Sequence, residues 1–186
     1  MVAGLLACGG CHARPSSTHA DARPTVDPSS PGSTVLRLRS AAFLEGHAIP
    51  RRYTGDGADV SPPLHWTGVP SSTRSLALVV DDPDAPGGTW VHWVLYNIPP
   101  TQSRLPEGIP HVPTLPDGIC QGRNDFGRIG WGGPTPPNGV HHYHFHLYAL
   151  DQILSIKAQP TRTQLNLAMA HHVLARALLV GTYTRR

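Results

Sequence analysis

Five stretches carry the hydrophobic pattern of this chain. "TVLRLRS" (34–40) sets Leu36 and Leu38 against Val35, Arg37 and Arg39, the period of a strand with one wet face. "SLALVVDD" (75–82) is a continuous apolar run ending in acids, as in a strand buried on both faces. "WVHWVLYNI" (90–98) predicts a second such strand, with Trp90, His92, Val94 and Tyr96 on one face and Val91, Trp93, Leu95 and Asn97 on the other. "VHHYHFHLYAL" (140–150) alternates again, placing His141, Tyr143, Phe145 and Leu147 opposite His142, His144, His146 and Tyr148. From about Thr163 to Leu179 the period lengthens. Leu167, Ala170, Leu174 and Leu178 form a helical stripe, with Pro160 before it and Gly181 after it.

The segments between are punctuated differently. "AIPRRYTGDGADVSPPLHW" (48–66) is broken by prolines and glycines into short strands and turns. From Pro99 to Pro137 the chain reads as loop, ending in "RNDFGRIGWGGPTPPNG" (123–139). So long an irregular stretch marks a binding rim more often than a plain connection. The pattern predicts a sheet-dominated domain with a C-terminal helix, since the parallel alternative lacks its intervening helices.

Length and composition narrow this picture. The 186 residues suit one domain, and 20 prolines and 19 glycines favour turn-rich β architecture. The formal charge is +3, carried by dispersed arginines with Lys157 the only lysine, which argues against nucleic-acid binding. No apolar run is long enough to span a bilayer as a helix.

Residues 1–33, rich in Pro, Ser, Thr, Ala and Gly, read as a flexible leader, and 34–186 as the folded domain. "CGGCH" in the leader, with Cys8, Cys11 and His12, fits the c-type haem pattern, although no core surrounds it. "LLAC" resembles a lipobox with Cys8 as the lipidated residue, although seven residues before it are fewer than such a signal needs. An unprocessed tail is the third reading. A lipidated Cys8 implies a periplasmic, membrane-anchored protein, and its absence a cytoplasmic one. Cys120 alone falls in the folded part, so no internal disulfide is expected there.

The candidate chemistry gathers near two strands. Asp82 and Asp84 sit on the Pro83/Pro86 turn just ahead of His92, while the later strand offers His141 and Tyr143. An imidazole beside a carboxylate has its tautomer fixed and its pKa raised, so it donates near neutral pH. With main-chain N–H groups of "GGPTPP" and the close approach that Gly132 and Gly133 allow, these groups suit an oxyanion such as phosphate. Each also has an ordinary reading: aspartates beside proline bond their own backbone, and a strand histidine packs in the sheet. His142, His144 and His146 have i, i+2, i+4 spacing, but ligands ~7 Å apart along one strand need help from a second to hold zinc or nickel. Packed or solvent-facing histidines are therefore the expectation there, with no metal. No Gly-x-Ser-x-Gly, His-Glu-x-x-His or phosphate-loop motif occurs, so a binding protein without catalysis or cofactor is expected.

"DPDAPGGTWVHWVLYNIP" (82–99) and "GGPTPPNGVHHYHFHLYALD" (132–151) resemble the two signature regions of the phosphatidylethanolamine-binding protein family, in its bacterial Raf kinase inhibitor-like branch. "YTGDGADVSPPLHWTGVP" (53–70), "GRNDFG" (122–127) and "HHVLARALLVGTY" (171–183) extend the resemblance over about residues 42–184. It implies a mainly β fold, an antiparallel β-sandwich-like domain with Greek-key connections and a C-terminal helix. It also implies a pocket for phosphate-like anions or phospholipid head groups. By motif, Asp82, Asp84 and His92 fall on pocket positions, as do Gly133, Pro134, Pro136 and Pro137 of the Gly-Pro wall, and His141 and Tyr143. A cis Ala85–Pro86 bond, a homodimer and a regulatory protein partner are implied on the same ground.

Departures stand beside it: His142 replaces an arginine, Trp131 a common tyrosine, and Gly55 and Thr135 stand where bacterial members often have cysteine. Two rival functions remain in view: a kinase or protease inhibitor or scaffold acting through its surface, and a metal-assisted hydrolase using Asp82, His92 and His141.

Overall fold

The computed structural model describes residues 35–185. The leader, with Cys8, Cys11 and His12, lies outside the described residues. The strands are β1 (Arg37–Ser40), β2 (Leu64–Thr67), β3 (Ser75–Asp82), β4 (Trp90–Ile98), β5 (Arg104–Leu105), β6 (Cys120–Gln121), β7 (His141–Leu150) and β8 (Val173–Tyr183). One helix, α1 (Arg162–Met169), precedes β8, and a short 3-10 turn spans Arg51–Tyr53. Two antiparallel sheets result, ordered β1-β2-β5 and β6-β4-β3-β7-β8. β7 returns over a long connection to pair with β3, beyond the β3–β4 hairpin, which is the Greek-key type of crossing.

Burial follows the apolar pattern. β3 is buried at all eight positions because both its faces are covered. One face, with Leu76, Leu78 and Val80, shares a core with Leu38, Leu64 and Trp66 of the smaller sheet and with Trp93, Trp131 and Phe145. The other face, with Ala77 and Val79, packs with Val94 and Leu150 and is capped by Leu165 and Met169 of α1. β7 keeps the predicted alternation, with His141, Tyr143, Phe145 and Leu147 buried on the first face.

Three expectations change. The helical stripe of 163–179 is real only to Met169. Thr161 caps α1, its side chain accepting from the Gln164 N–H while Gln164 reaches back to the Thr161 N–H. The chain then turns through His171 at φ +67 and continues as β8, paired with β7 along its length. The run 173–180 is apolar at every position but Arg176, so it holds a two-residue period (Ala175, Ala177, Leu179) as well as the helical spacing of Leu174 and Leu178. The ladder to β7 decides between them, and Gly181 fits there because a Cβ would lie 2.6 Å from Ile49 Cγ1. Among the described residues every peptide bond is trans, Ala85–Pro86 included, so the implied cis bond is absent.

β4 also departs from strict alternation. Val80 pairs with Trp93 but Asp81 with Val91, so His92 is the extra residue of a β-bulge. His92 therefore shares the side of Trp93, where it packs against Tyr143 and Trp131. A second irregularity falls at Asn97, at φ +57. Among the described residues, no helix is long and apolar enough to cross a membrane.

Candidate functional site

The bulge at His92 opens the end of the inter-sheet core into a cleft of about 270 Å³. Its polar lining is Asp82, His92, His141 and Tyr143, with Thr135 at the edge. Ala85, Pro86, Pro136 and Pro137 form stiff apolar walls, and Trp90 and Phe126 complete the rim. Larger concavities lie elsewhere, one of about 750 Å³ beside Pro50, Asp56, Tyr183 and Arg185. Only the cleft at His92 collects buried imidazole, carboxylate and phenol groups among the described residues.

Each polar group has a defined state. The Asp82 carboxylate is 3 % exposed, and its two oxygens do different work. Oδ1 accepts from the Asp84 N–H at 2.9 Å, the turn-forming role expected beside proline. Oδ2 lies 2.7 Å from His141 Nδ1, which places the proton there and leaves Nε2 as the imidazole's second polar atom. His92 Nδ1 donates to the Gly132 carbonyl at 2.5 Å rather than to a carboxylate. Its pKa is lowered, not raised: desolvation by burial dominates, opposed by the Gly132 bond and the fields of Asp82, Asp81 and Asp125. The imidazole is thus neutral at pH 7, with an Nε2 lone pair available. The Tyr143 hydroxyl is buried without a hydrogen-bond partner. Burial first, then the charge of the adjacent Asp82 carboxylate and its closeness as an acceptor, short of an aligned hydrogen bond, hold its proton in place.

Asp84, Gly133 and Pro134 do not line the cleft. Asp84 accepts from the His142 N–H at 2.9 Å and lies 2.8 Å from that residue's Nδ1, fastening the start of β7. The Gly133 N–H donates to Asp59 Oδ1, and the Pro134 carbonyl accepts from the Gly55 N–H. The Gly132 N–H donates to the His92 carbonyl. The N–H groups of Gly132 and Gly133 are therefore committed to the framework, not free for a ligand. The glycines serve close packing of a different kind: a Cβ on Gly132 would lie 2.5 Å from the Phe126 ring, and one on Gly133 2.7 Å from the Gly55 nitrogen. Gly55 and Thr135, the two positions noted for cysteine, are in contact.

Phe126 is the site residue that periodicity missed. Its loop is tied by Asn124 Oδ1, which accepts from the Phe126 and Arg128 N–H groups, and by Asp125, which accepts from the Val91 N–H. The ring meets Trp90 and His92 edge-on at 5.5 and 5.3 Å. The dense polar punctuation of "RNDFGRIG" is the signal that marks such a fastened loop. Trp90, 38 % exposed, belongs to the rim, whereas Trp93 and Trp131 are fully buried behind it.

This is the geometry of a small-ligand cleft at the end of a two-sheet antiparallel β protein. The sequence model of the family described as phosphatidylethanolamine-binding protein matches residues 39–184. A UPF0098 protein of Methanothermobacter thermautotrophicus is 49 % identical over 150 residues, covering 81 % of this chain and 99 % of its own. A phosphatidylethanolamine-binding protein homologue of Chlamydia trachomatis superposes with a TM-score of 0.77 at 41 % identity, over 83 % of this chain and all of the other. Escherichia coli YbcL, described as a member of the mammalian family, gives 0.75 at 34 % identity, over 81 % of this chain and 99 % of its own. The chain belongs to the phosphatidylethanolamine-binding protein family. Relatives occur in archaea as well as bacteria.

Proposed function

We propose that the chain is a binding protein without catalytic activity, whose cleft takes a phosphate-like oxyanion, free or on a phospholipid head group, and through it modulates a protein partner. The observation that carries this reading is the Tyr143 hydroxyl, a buried donor beside two imidazoles that makes no aligned hydrogen bond although the Asp82 carboxylate stands near it. An oxyanion supplies the aligned acceptor that this donor lacks. With His92 neutral and Asp82 charged, the cleft best suits a phosphate that still carries a proton, whose P–OH donates to an imidazole Nε2 while another of its oxygens accepts from Tyr143. The proline walls need little ordering on binding. Asp82, His92 and His141 do not converge as a metal triad among the described residues, which disfavours a metal-assisted hydrolase there.

The test is an NMR titration of histidine ring resonances with inorganic phosphate and with phosphoethanolamine, on wild type and His141→Ala. Saturable shifts at His92 and His141, weakened in the variant, are expected. A response to phosphoethanolamine alone identifies a head-group site. Silence at millimolar ligand overturns the reading, and partner capture that survives His141→Ala points instead to a surface mode.

A further inference from the structure

Behind the cleft, on the α1 face of the larger sheet, lies a second cluster of polar side chains. Asp81 follows Val80 on β3 and projects away from Asp82. In the β3–β7 register it stands directly across from His144, with His146 on the diagonal. Each of the three offers one ligand atom, and these atoms lie within 4.8 Å of one another. The second strand that the histidine run requires for metal binding is therefore present, and it supplies a carboxylate.

We propose that Asp81, His144 and His146 form a binding site for one divalent transition-metal ion of the zinc class. Three observations support it independently of the oxyanion cleft. First, Asp81 is 2 % exposed and its Oδ2 makes no hydrogen bond, so a buried charge is incompletely compensated. Arg162 Nη2 stands 3.0 Å from that oxygen as an ion pair, without hydrogen-bond alignment. Second, His146 Nε2 is 3.7 Å from Asp81 Oδ1, too far for a hydrogen bond. Tetrahedral zinc, with bonds of about 2.0–2.2 Å, holds neighbouring ligand atoms about 3.4 Å apart, so this gap is close to the edge of a coordination tetrahedron. Third, the His144 and His146 rings are half-buried and adjacent, 5.8 Å between centroids, and His146 stacks on Tyr148. The pair is held in place yet reachable from solvent.

Two imidazoles and one carboxylate favour zinc, nickel or copper over magnesium or calcium, which prefer all-oxygen shells. Three protein ligands leave a fourth position for water. Arg162, on the first turn of α1 and a third exposed, competes with the ion for the Asp81 charge. It keeps Oδ2 as an outer partner while Oδ1 ligates.

The test uses the full chain carrying Cys8→Ser and Cys11→Ser, which removes the thiols of "CGGCH" as an alternative zinc site. Zinc is titrated against a chromophoric chelator, and cobalt is used to read coordination by absorption. One equivalent is expected to bind, at least tenfold more weakly in His144→Ala and in His146→Ala. His141→Ala in the cleft and His172→Ala beside Asp151 serve as controls and should bind like the parent. Arg162→Gln should bind several-fold more tightly, an effect that a purely structural role for the cluster does not produce. Circular dichroism confirms that each variant is folded. Absence of uptake by the parent at about 100 µM zinc overturns the proposal, as does uptake unchanged in the His144→Ala/His146→Ala double variant. Neither result bears on phosphate binding in the cleft.

Discussion

Asp81 and Asp82 are neighbours in sequence and equally buried, yet the sheet sends them into different environments. Asp82 faces the cleft with both oxygens engaged, one by the Asp84 N–H and one by His141. Asp81 faces α1 with an oxygen that the Arg162 guanidinium approaches without hydrogen-bond alignment. One carboxylate is part of a satisfied network. The other is a buried charge with a guanidinium nearby, the His146 imidazole just out of hydrogen-bond range, and His144 within 4.8 Å. The pair shows that burial by itself says little about a charged group, because its cost is set by the partners that its face provides.

The largest test of this contrast is the stability of two substitutions. Asp82→Ala strands the His141 Nδ1 and the Asp84 N–H, and should lower unfolding stability in urea by about 3–5 kcal/mol. Asp81→Asn removes a charge that lacks a hydrogen bond at Oδ2, and should change stability by less than about 1 kcal/mol in either direction. Equal losses, or the reverse order, would break the comparison.

The framework of the cleft comes next. Gly133→Ala drives a methyl group into the Gly55 backbone and the Asp59 carboxylate, with an expected loss of about 1–3 kcal/mol. Gly132→Ala meets the Phe126 ring instead, which can swing outward. It should cost less stability but disturb phosphate binding more, readable from paired melts and the histidine titration.

A pH series adds a third contrast. The folded-state pKa of His92 lies below the unfolded value of 6.5. The unfolded chain therefore takes up this proton first, and stability must fall as pH drops below about 6.5 toward the folded pKa. His92→Gln removes that contribution. Its stability loss between about pH 7.5 and 5.5 should be smaller than that of wild type, and an identical loss would mean that His92 remains solvated. A small loss is expected on the opposite face. Thr161→Ala breaks the capping box of α1 and should cost about 1 kcal/mol, leaving the cleft unaffected.

Much of this was legible in the chain itself. Long apolar runs bounded by turn residues located β3, β4 and β7, since a strand covered on two faces needs such a run. The residue types at Asp82, His92, His141 and Tyr143 indicated where polar chemistry gathers, and the structure brings those four together. Asp84, Gly133 and Pro134 carried the same motif but face the framework, a distinction of side-chain direction that motif position does not contain.

The remainder depended on contacts distant in sequence. The segment 173–183 suits helix or strand by its own preferences, and hydrogen bonds to β7 select the strand. The bulge at His92 reverses the face expected from a two-residue period, and it exists only in register with β3. Asp81 meets His144 and His146 across more than sixty residues of chain, through strand pairing alone. Periodicity determined which segments are buried, because burial is set by local composition. Pairing and register decided which buried groups face one another, because those depend on every strand at once.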